Sequence, residues 1–268
     1  MKIDCKKYAQ EILDEVKRVP NKKTLAILSV GDDPASLSYI KGKIKDCEYC
    51  EIPYRHMRIP PMVLSSAIEE QNSAPEVGGI IVQLPLPNGM NENRYLRKVQ
   101  AAKDVDGFRL NSPFKPCTPE GIMYLLYQEI GVLTGKTALV IGRGRLVGKP
   151  MARLLLDADC TVINAHSQTK NLPELLRIAD IVISGVGKPN TVDLQYCKHG
   201  AVVIDAGISR TKEGKLVGDC FGSHEGLKVT PVPGGVGLMT RAMLVRHMAL
   251  VSSPKMTGGE ENAANRCR

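Results

Sequence analysis

The segment 139–167, with the sequence LVIGRGRLVGKPMARLLLDADCTVINAHS, constrains the fold more than any other part of the chain. A short apolar run at 139–141 predicts a buried parallel strand, and the glycines directly after it predict a tight turn. Apolar residues at helical spacing and a β-branched run at 161–163 then complete a strand–turn–helix–strand unit. This unit predicts an α/β protein whose glycine turn and helix N-terminus can approach a pyrophosphate.

The glycine turn departs at one position from the usual dinucleotide-binding pattern, G-x-G-x-x-G. Gly142 and Gly144 fit this pattern, but Val147 takes the third place and Gly148 comes one residue late. A tight structural turn without a ligand is therefore an alternative interpretation of the glycines alone.

The polar residues of the same segment favour NADP over NAD as the ligand. Arg143 and Arg145 lie inside the turn, where a purely structural loop has no need of guanidinium groups. His166 and Ser167 follow the second strand, where an acidic residue would bind the ribose 2′-hydroxyl of NAD. Arginine and hydroxyl groups suit a 2′-phosphate instead, so the sequence predicts NADP.

Length and composition exclude several classes of protein. The 268 residues are enough for two modest domains, and 43% hydrophobic and 24% charged residues are ordinary for a soluble globular protein. No apolar run approaches the roughly 20 residues of a membrane helix, and residues 1–13 lack the apolar region of a signal peptide. We therefore expect no membrane partner.

The eight cysteines are scattered and form no disulfide-like framework, which predicts a reducing, cytoplasmic location. Cys47 and Cys50 form one C-x-x-C pair, but no second ligand pair follows. This pair predicts two thiols on a helix rather than a metal or redox site.

The net charge of +8 is dispersed along the chain, and the chain has no Trp and only three Phe. Proteins that stack nucleic-acid bases need more aromatic residues than this, so we expect no nucleic-acid partner. A basic balance suits small polyanionic ligands, although it usually reflects only a solvated surface.

A tyrosine and a lysine share one face of a predicted helix in the first half of the chain. The segment 24–30 predicts a strand, and Asp33 and Pro34 predict the start of the helix after it. Tyr39 and Lys43 lie four residues apart on this helix and so face the same side. A lysine in such a position is most often an exposed surface residue.

Two further polar residues lie at the end of a predicted strand and in a predicted turn. Gln83 lies where the predicted strand 78–84 ends, and ligands of open α/β sheets gather beyond the carboxyl ends of strands. Asp106 lies in the turn 103–107, where an aspartate can serve simply as a turn former.

The second half of the chain contains two more strands that end in glycine-rich turns, at 181–187 and 202–207. Successive turns of this kind predict the wall of a crevice. The segment 231–237, PVPGGVG, predicts a shaped loop that is neither helix nor central strand. Residues 252–268 are polar and lack an apolar period, so they predict a poorly ordered tail.

Taken together, these segments resemble the bifunctional methylenetetrahydrofolate dehydrogenase/cyclohydrolase family. Each segment alone is a weak signal, but their joint occurrence in the family's order is highly specific and covers nearly everything from the first helix to Leu250. The matching segments are VGDDPASLSYIKGKIK, GGIIVQLPLP, KDVDGF, PCTPEGI, VIGRGRLVGKP, AHSQT, VIDAGI, VGDC and TPVPGGVGLMT.

The resemblance implies two α/β domains, the second a Rossmann-like dinucleotide-binding domain, with a cleft between them. Residues 1–118 plus 240–268 would form a folate-binding catalytic domain, to which the last helix returns. Residues 119–239 would form the NADP-binding domain. The family also implies a homodimer.

By resemblance, Lys43 is the catalytic acid/base, Tyr39 orients the ligand and Gln83 positions Lys43. Asp106 would bind the amino edge of the pterin through two parallel N–H bonds. The residues implied for cofactor binding are Gly142, Arg143, Gly144, Arg145, Ser167, Gly185 and Ile208. The residues implied for substrate binding are Tyr39, Gln83, Asp106, Pro233, Gly234 and Gly235. No metal is implied.

The chain departs from the family's usual pattern at three positions. Gly144 follows the turn arginine, where the family usually has a serine that adds a hydroxyl near the phosphate. Ala165 replaces a cysteine, and Leu238 replaces a proline beside the PVPGG loop.

The implied function is NADP-dependent oxidation of 5,10-methylenetetrahydrofolate to 5,10-methenyltetrahydrofolate, followed by hydrolysis to 10-formyltetrahydrofolate. Two alternatives stay open at the level of sequence. One is a dehydrogenase with weak or absent cyclohydrolase activity, and the other is a nucleotide-binding protein without turnover.

Overall fold

The computed structural model of the protein describes residues 1–223 and 225–252. Within this part, the chain forms two compact units, each with its own parallel sheet. The tail predicted to be poorly ordered, 252–268, lies outside the described residues except for Ser252. None of the described helices is long and apolar enough to cross a membrane.

The three-stranded unit consists of residues 10–117 and 241–252. Its strands are β1 (Thr24–Ser29), β2 (Tyr54–Arg58) and β3 (Val77–Val82), all parallel in the order β2-β1-β3. Its helices are α1 (Cys5–Lys17), α2 (Pro34–Tyr49), α3 (Leu64–Ser73), α4 (Glu92–Leu96) and most of α8 (Val236–Ser252); α1 and α8 begin in the other unit. Short 3-10 turns lie at Pro61–Val63 and Ala101–Lys103.

Burial of both sheet faces explains why β1 and β3 read as continuous apolar runs. Every residue of β3, and every residue of β1 after Thr24, is buried. Leu64 and Ile68 of α3 pack in the same core cluster as Leu28 and Ile80 of the sheet.

Helix α2 begins where the sequence predicts it. The side chain of Asp33 accepts a hydrogen bond from the backbone N–H of Ser36 at 2.7 Å, and Pro34 occupies the first turn. Capping by an aspartate satisfies a donor that the helix itself leaves unpaired. The prediction of this helix start is confirmed.

The five-stranded unit consists of residues 1–9 and 118–240. Its main strands are β4 (Thr137–Ile141), β5 (Thr161–Ala165), β6 (Ile181–Ser184), β8 (Val202–Asp205) and β12 (Lys228–Val229), with β7 (Val192–Asp193), β9 (Ser209–Arg210), β10 (Leu216–Val217) and β11 (Cys220–Phe221) in two small sheets. Its helices are α5 (Cys117–Ile130), α6 (Gly148–Leu156), α7 (Leu172–Ile178), a 3-10 turn at Leu194–Tyr196 and the start of α8 (Val236–Ser252).

The main sheet of this unit is parallel and has the order β12-β8-β6-β4-β5. Counted along the chain from the β5 edge, this is the 2-1-3-4-5 order of a doubly wound nucleotide-binding sheet. The strand order reverses between β4 and β6, and this switch point is where ligands bind in such folds. The Rossmann-like prediction for the second half of the chain is confirmed.

The first nine residues pack with the five-stranded unit. Lys2 forms a parallel bridge with Val229, and the N–H of Ile3 donates to the Val229 carbonyl at 2.9 Å. The N–H of Val229 in turn donates to the carbonyl of Met1 at 3.0 Å. The resemblance assigns these residues to the first domain, and that functional division stays a prediction.

The segment 231–237 is only partly the loop that its sequence predicts. Helix α8 begins at Val236, so the last two residues of the segment are helical. The N–H of Leu238 donates to the carbonyl of Gly235 at 3.0 Å, which closes the first turn of the helix. The prediction that no part of the segment is helical is therefore wrong. The N–H groups of the first helical turn have no partner within the helix in any case, so glycines there do not prevent the helix from starting.

The C-x-x-C pair lies in the interior of the three-stranded unit. Cys47 and Cys50 are both fully buried, and the Cys50 thiol donates to the carbonyl of Leu13 at 3.5 Å. Burial raises the pKa of each thiol to about 12. A thiol is reactive as its thiolate, so this environment favours the interpretation of two structural thiols.

Candidate active site

Lys43 has a buried amine whose hydrogen-bond partner is uncharged. The side chain is only 4% exposed, and its Nζ donates to Oε1 of Gln83 at 3.2 Å. The same Nζ lies 5.2 Å from the centroid of the Tyr39 ring, a cation–π distance. The structure therefore joins three of the predicted site residues, and it excludes the interpretation of Lys43 as an exposed surface lysine.

The strand end fixes the orientation of the Gln83 amide. The N–H of Gln83 donates to the carbonyl of Leu28 at 2.8 Å, which extends the pairing of β3 with β1 by one residue. The side-chain Nε2 donates to the carbonyl of Leu84 at 2.7 Å. With its amide nitrogen held in this way, the side chain presents its oxygen to Lys43.

Asp106 lies on another loop of the same unit, and its neighbour Asp104 holds that loop. Asp104 is buried and accepts the N–H of Arg109 at 2.7 Å. Burial raises the pKa of the Asp104 carboxyl; the Asp106 carboxylate raises it further, and the hydrogen bond from Arg109 opposes both. Asp106 is half-buried, and its backbone carbonyl accepts the N–H of Cys117 at 3.2 Å. Asp104 therefore has a structural role in this loop, and the role of Asp106 as a ligand of the pterin stays a prediction.

Gly148 takes the structural role of the third glycine of the pattern, although it comes one residue late. Gly142 has a φ of +107°, a value that favours glycine, and its N–H donates to the carbonyl of Ala165 at 2.8 Å. A β-carbon at Gly148 would collide with the carbonyl oxygen of Gly142 and would lie 2.8 Å from the Cα of Arg143. Gly148 therefore allows the close packing of helix and turn that the third glycine of the fingerprint allows elsewhere.

Two adjacent turns carry the predicted phosphate ligands. Ile141 and Ala165 are register partners at the ends of β4 and β5, so the turns after them lie side by side. The first turn carries Arg143, which is exposed, and Arg145, which is half-buried; the second carries Ser167, which is exposed. Guanidinium and hydroxyl donors at the edge of a parallel sheet suit an anionic group.

Gly185 lies across the switch point from the glycine turn. Its N–H donates to the carbonyl of Ile141 at 3.2 Å. Its carbonyl oxygen would lie 3.3 Å from a β-carbon at Gly142, so the loop after β6 packs directly against the turn after β4. These two segments form opposite walls of the place where this fold binds ligands.

The remaining predicted residues of this unit also follow its strands. Ile208 comes after β8 and is 59% exposed. Pro233 and Gly234 are exposed after β12, and Gly235 is buried just before α8. Because all five strands are parallel, every predicted residue of the unit lies beyond a carboxyl end of the main sheet.

Three polar residues with structural contacts to these loops were not singled out from the sequence. Asn164 donates through Nδ2 to the carbonyls of Val140 and Gly142, at 3.0 and 2.8 Å. Asp104 holds the Asp106 loop as described, and Asp219 is fully buried and accepts hydrogen bonds from the loop after β6. Asp219 belongs to the VGDC segment, but charged residues are rarely fully buried, so its position had no signal of its own.

Family models match both halves of the chain. The model described as tetrahydrofolate dehydrogenase/cyclohydrolase, NAD(P)-binding domain, matches residues 116–255. The model described as the catalytic domain of the same family matches residues 3–106. The chain belongs to the tetrahydrofolate dehydrogenase/cyclohydrolase family.

Similar proteins extend over most of the chain. The bifunctional protein FolD of Campylobacter hominis is 44% identical over an alignment that covers 91% of this chain and 94% of the relative. The bifunctional protein FolD of Lachnoclostridium phytofermentans is 43% identical over an alignment that covers 92% of this chain and 96% of the relative.

Solved structures of the family share the fold. The FolD methylenetetrahydrofolate dehydrogenase/cyclohydrolase of Campylobacter jejuni has a TM-score of 0.89 at 37% identity, covering 95% of this chain and 99% of that one. The Trypanosoma brucei enzyme, complexed with NADP and an inhibitor, has a TM-score of 0.86 at 28% identity, with 97% and 99% covered. The predicted family and fold class are confirmed, and the roles of individual residues remain predictions.

The packing of Gly148 predicts that an added methyl group destabilises the five-stranded unit. Helix propensity alone favours alanine, but at Gly148→Ala the collision with Gly142 should dominate and lower the free energy of unfolding by about 1–3 kcal/mol. Gly144→Ala is the matched control, since a β-carbon there meets no atom within 4 Å among the described residues, its two chain neighbours apart. Thermal and urea denaturation measure the difference, and equal stability of the two variants would refute the packing argument.

Proposed function

We propose that the protein oxidises 5,10-methylenetetrahydrofolate with NADP to 5,10-methenyltetrahydrofolate and then hydrolyses this product to 10-formyltetrahydrofolate. The observation that carries the proposal is the hydrogen bond from the buried amine of Lys43 to the side-chain amide of Gln83. The hydrolysis needs a positioned group that transfers protons, and this amine can serve as that group. Family membership and the double activity named for the Campylobacter jejuni enzyme support both reactions.

The five-stranded unit would bind NADP at its switch point. At the start of α6, Lys149 donates its N–H to the carbonyl of Gly144 at 3.0 Å and Pro150 has no N–H, so it is the N–H of Gly148, with the positive end of the helix dipole, that would face a pyrophosphate. Arg143 and Ser167, on adjacent turns, would hold the 2′-phosphate, with Arg145 beside them. These donors fit the negative charge of the 2′-phosphate. Gly142 and Gly185 have no side chain, so their backbone can approach the cofactor. NADP, when bound, supplies the hydride acceptor for the oxidation.

The folate substrate would be oriented by three groups of residues. Asp106 would accept two parallel N–H bonds from the amino edge of the pterin, a geometry that suits a carboxylate. Tyr39 would orient the ring system, and Pro233, Gly234 and Gly235 are the third group that the family resemblance implies for substrate binding.

Lys43 would transfer protons in the hydrolysis. Water loses a proton as it attacks the methenyl carbon, and the ring nitrogen that is released must gain one. The Lys43 amine takes the first proton and delivers one to the nitrogen, while Gln83 holds it in place without a competing charge. Hydride loss from the methylene carbon needs no proton transfer by the protein, because the adjacent nitrogen lone pairs stabilise the resulting cation.

We further propose that the protein is a cytoplasmic homodimer. The dimer rests on the family resemblance alone. The location is supported by the scattered cysteines, several of which are buried as free thiols among the described residues.

Replacing Lys43 should separate the two reactions. Lys43→Met keeps an apolar stem but removes the amine, so hydrolysis should fall by about 10²–10⁴-fold, while oxidation stays measurable and methenyltetrahydrofolate accumulates. Lys43→Arg should fail in the same way, because a guanidinium does not deprotonate. Lys41→Met, at an exposed position of the same helix, is the control that should keep both activities. Hydrolysis at the wild-type rate by Lys43→Met would overturn the role of this amine.

Replacing Arg143 should change the choice of cofactor. A charge-assisted contact contributes roughly 1.5–3 kcal/mol, so Arg143→Ala should raise the KM for NADP about ten- to a hundredfold and leave the KM for NAD nearly unchanged. Arg153→Ala, an exposed arginine of α6, serves as the control for loss of positive charge. Steady-state kinetics with both cofactors measure the effect, and equal losses with NADP and NAD would reject the assignment.

A further inference from the structure

A single buried carboxylate holds most of the loop that follows β6. Asp219 is fully buried. Its Oδ2 accepts hydrogen bonds from the hydroxyl of Ser184 at 2.7 Å and from the N–H groups of Val186 and Gly187 at 2.8 and 3.3 Å. Its Oδ1 accepts the N–H of Lys188 at 2.8 Å. Four donors from five consecutive residues therefore converge on one side chain.

The loop held in this way, residues 184–188, is one wall of the switch point. Gly185 lies against Gly142 of the phosphate-binding turn, and a β-carbon on Gly185 would come within 2.9 Å of the Val147 side chain. Residues 186–188 are exposed, so packing alone does not fix them. Their backbone N–H groups are held by the part-buried hydrogen bonds to Asp219, and the carbonyls of Gly187 and Lys188 accept hydrogen bonds from the hydroxyls of Ser209 and Thr191, at 2.9 and 2.6 Å.

A second buried aspartate fixes the position of Asp219 itself. Oδ1 of Asp205 accepts the backbone N–H of Asp219 at 3.0 Å, and Oδ2 accepts the N–H of Cys220 at 2.9 Å. Both carboxylates fit only because glycines face them. A β-carbon on Gly207 would collide with the Asp219 carboxylate, and one on Gly218 would collide with the Asp205 carboxylate.

We propose that Asp219 is a positioning residue for nucleotide binding, which holds residues 184–188 in the binding-competent conformation before the nucleotide arrives. A buried carboxylate is tolerated only when its acceptor sites are satisfied. If the loop left this conformation, the buried carboxylate would lose its hydrogen bonds, so the entropy cost of ordering the loop arises on folding rather than on binding. The identity of the nucleotide as NADP rests on the proposed function.

Asp219→Asn is the variant that tests this role. An amide keeps the size of the side chain but replaces one acceptor oxygen with an NH₂ group, which must then face either the N–H of Lys188 or the donors of Ser184, Val186 and Gly187. Ser184→Ala is the milder partner variant, because it removes one donor and leaves the three backbone hydrogen bonds in place. Arg153→Ala again serves as a surface control.

Three measurements on the full-length variants separate positioning from general loss of structure. Direct titration with NADPH gives Kd without turnover. Hydrolysis of methenyltetrahydrofolate, assayed without NADP, reports the other reaction of the same protein. Amide hydrogen exchange of residues 186–188 reports the loop itself.

For Asp219→Asn we expect an NADPH Kd raised at least about tenfold, a dehydrogenase KM for NADP raised by a similar factor, faster exchange of residues 186–188 and hydrolysis within about twofold of the wild type. For Ser184→Ala we expect a smaller rise in Kd, of about two- to fivefold.

An unchanged Kd in a folded Asp219→Asn protein would overturn the proposal, as would unchanged exchange of the loop. If Asp219→Asn does not fold, an unchanged Kd for Ser184→Ala overturns it. Failure of the wild type to bind NADPH would refute the proposed function, whereas the exchange measurement tests the loop separately.

Discussion

Parallel strands all end at one edge of their sheet, and the backbone that leaves them has no neighbouring strand to satisfy its hydrogen bonds. Both units of this protein meet this constraint with buried polar side chains. In the three-stranded unit, the backbone N–H of Gln83 donates to the end of β1. Its side-chain amide donates to the carbonyl of Leu84 and accepts a hydrogen bond from Lys43. In the five-stranded unit, Asp219 gathers the donors of the loop after β6. Of the predicted site residues, Lys43, Gln83 and Gly185 lie on segments that these contacts hold.

The two side chains differ in charge, and the difference suits what each one holds. The two oxygens of the Asp219 carboxylate accept hydrogen bonds from four donors of the loop, and these bonds offset the cost of its burial. Gln83 faces an amine that must exchange protons in the proposed reaction. A carboxylate in that place would form an ion pair and favour the charged amine, whereas a neutral amide positions the amine without fixing its charge.

Sequence patterns predicted the fold because the relevant signals are local. Glycine turns, the cap of α2 by Asp33 and continuous apolar strands each follow from a few adjacent residues, and the resemblance supplied the order of the segments. The contacts of Gly148 and Asp219 could not be predicted in the same way. The first depends on where α6 begins relative to Gly142, and the second joins residues more than 30 positions apart. The loop predicted for residues 231–237 was too long, because α8 already begins at Val236 and glycines near a helix N-terminus do not prevent the helix from starting.

The most direct test of the account is the product balance of the wild-type protein supplied with methylenetetrahydrofolate and NADP. If one protein carries out both reactions, NADPH and 10-formyltetrahydrofolate should form in equal amounts, with methenyltetrahydrofolate remaining a minor species throughout. Formation of NADPH with accumulation of methenyltetrahydrofolate at the uncatalysed rate of hydrolysis would contradict the role given to the Lys43–Gln83 pair. Absence of NADPH formation would contradict the enzymatic function altogether.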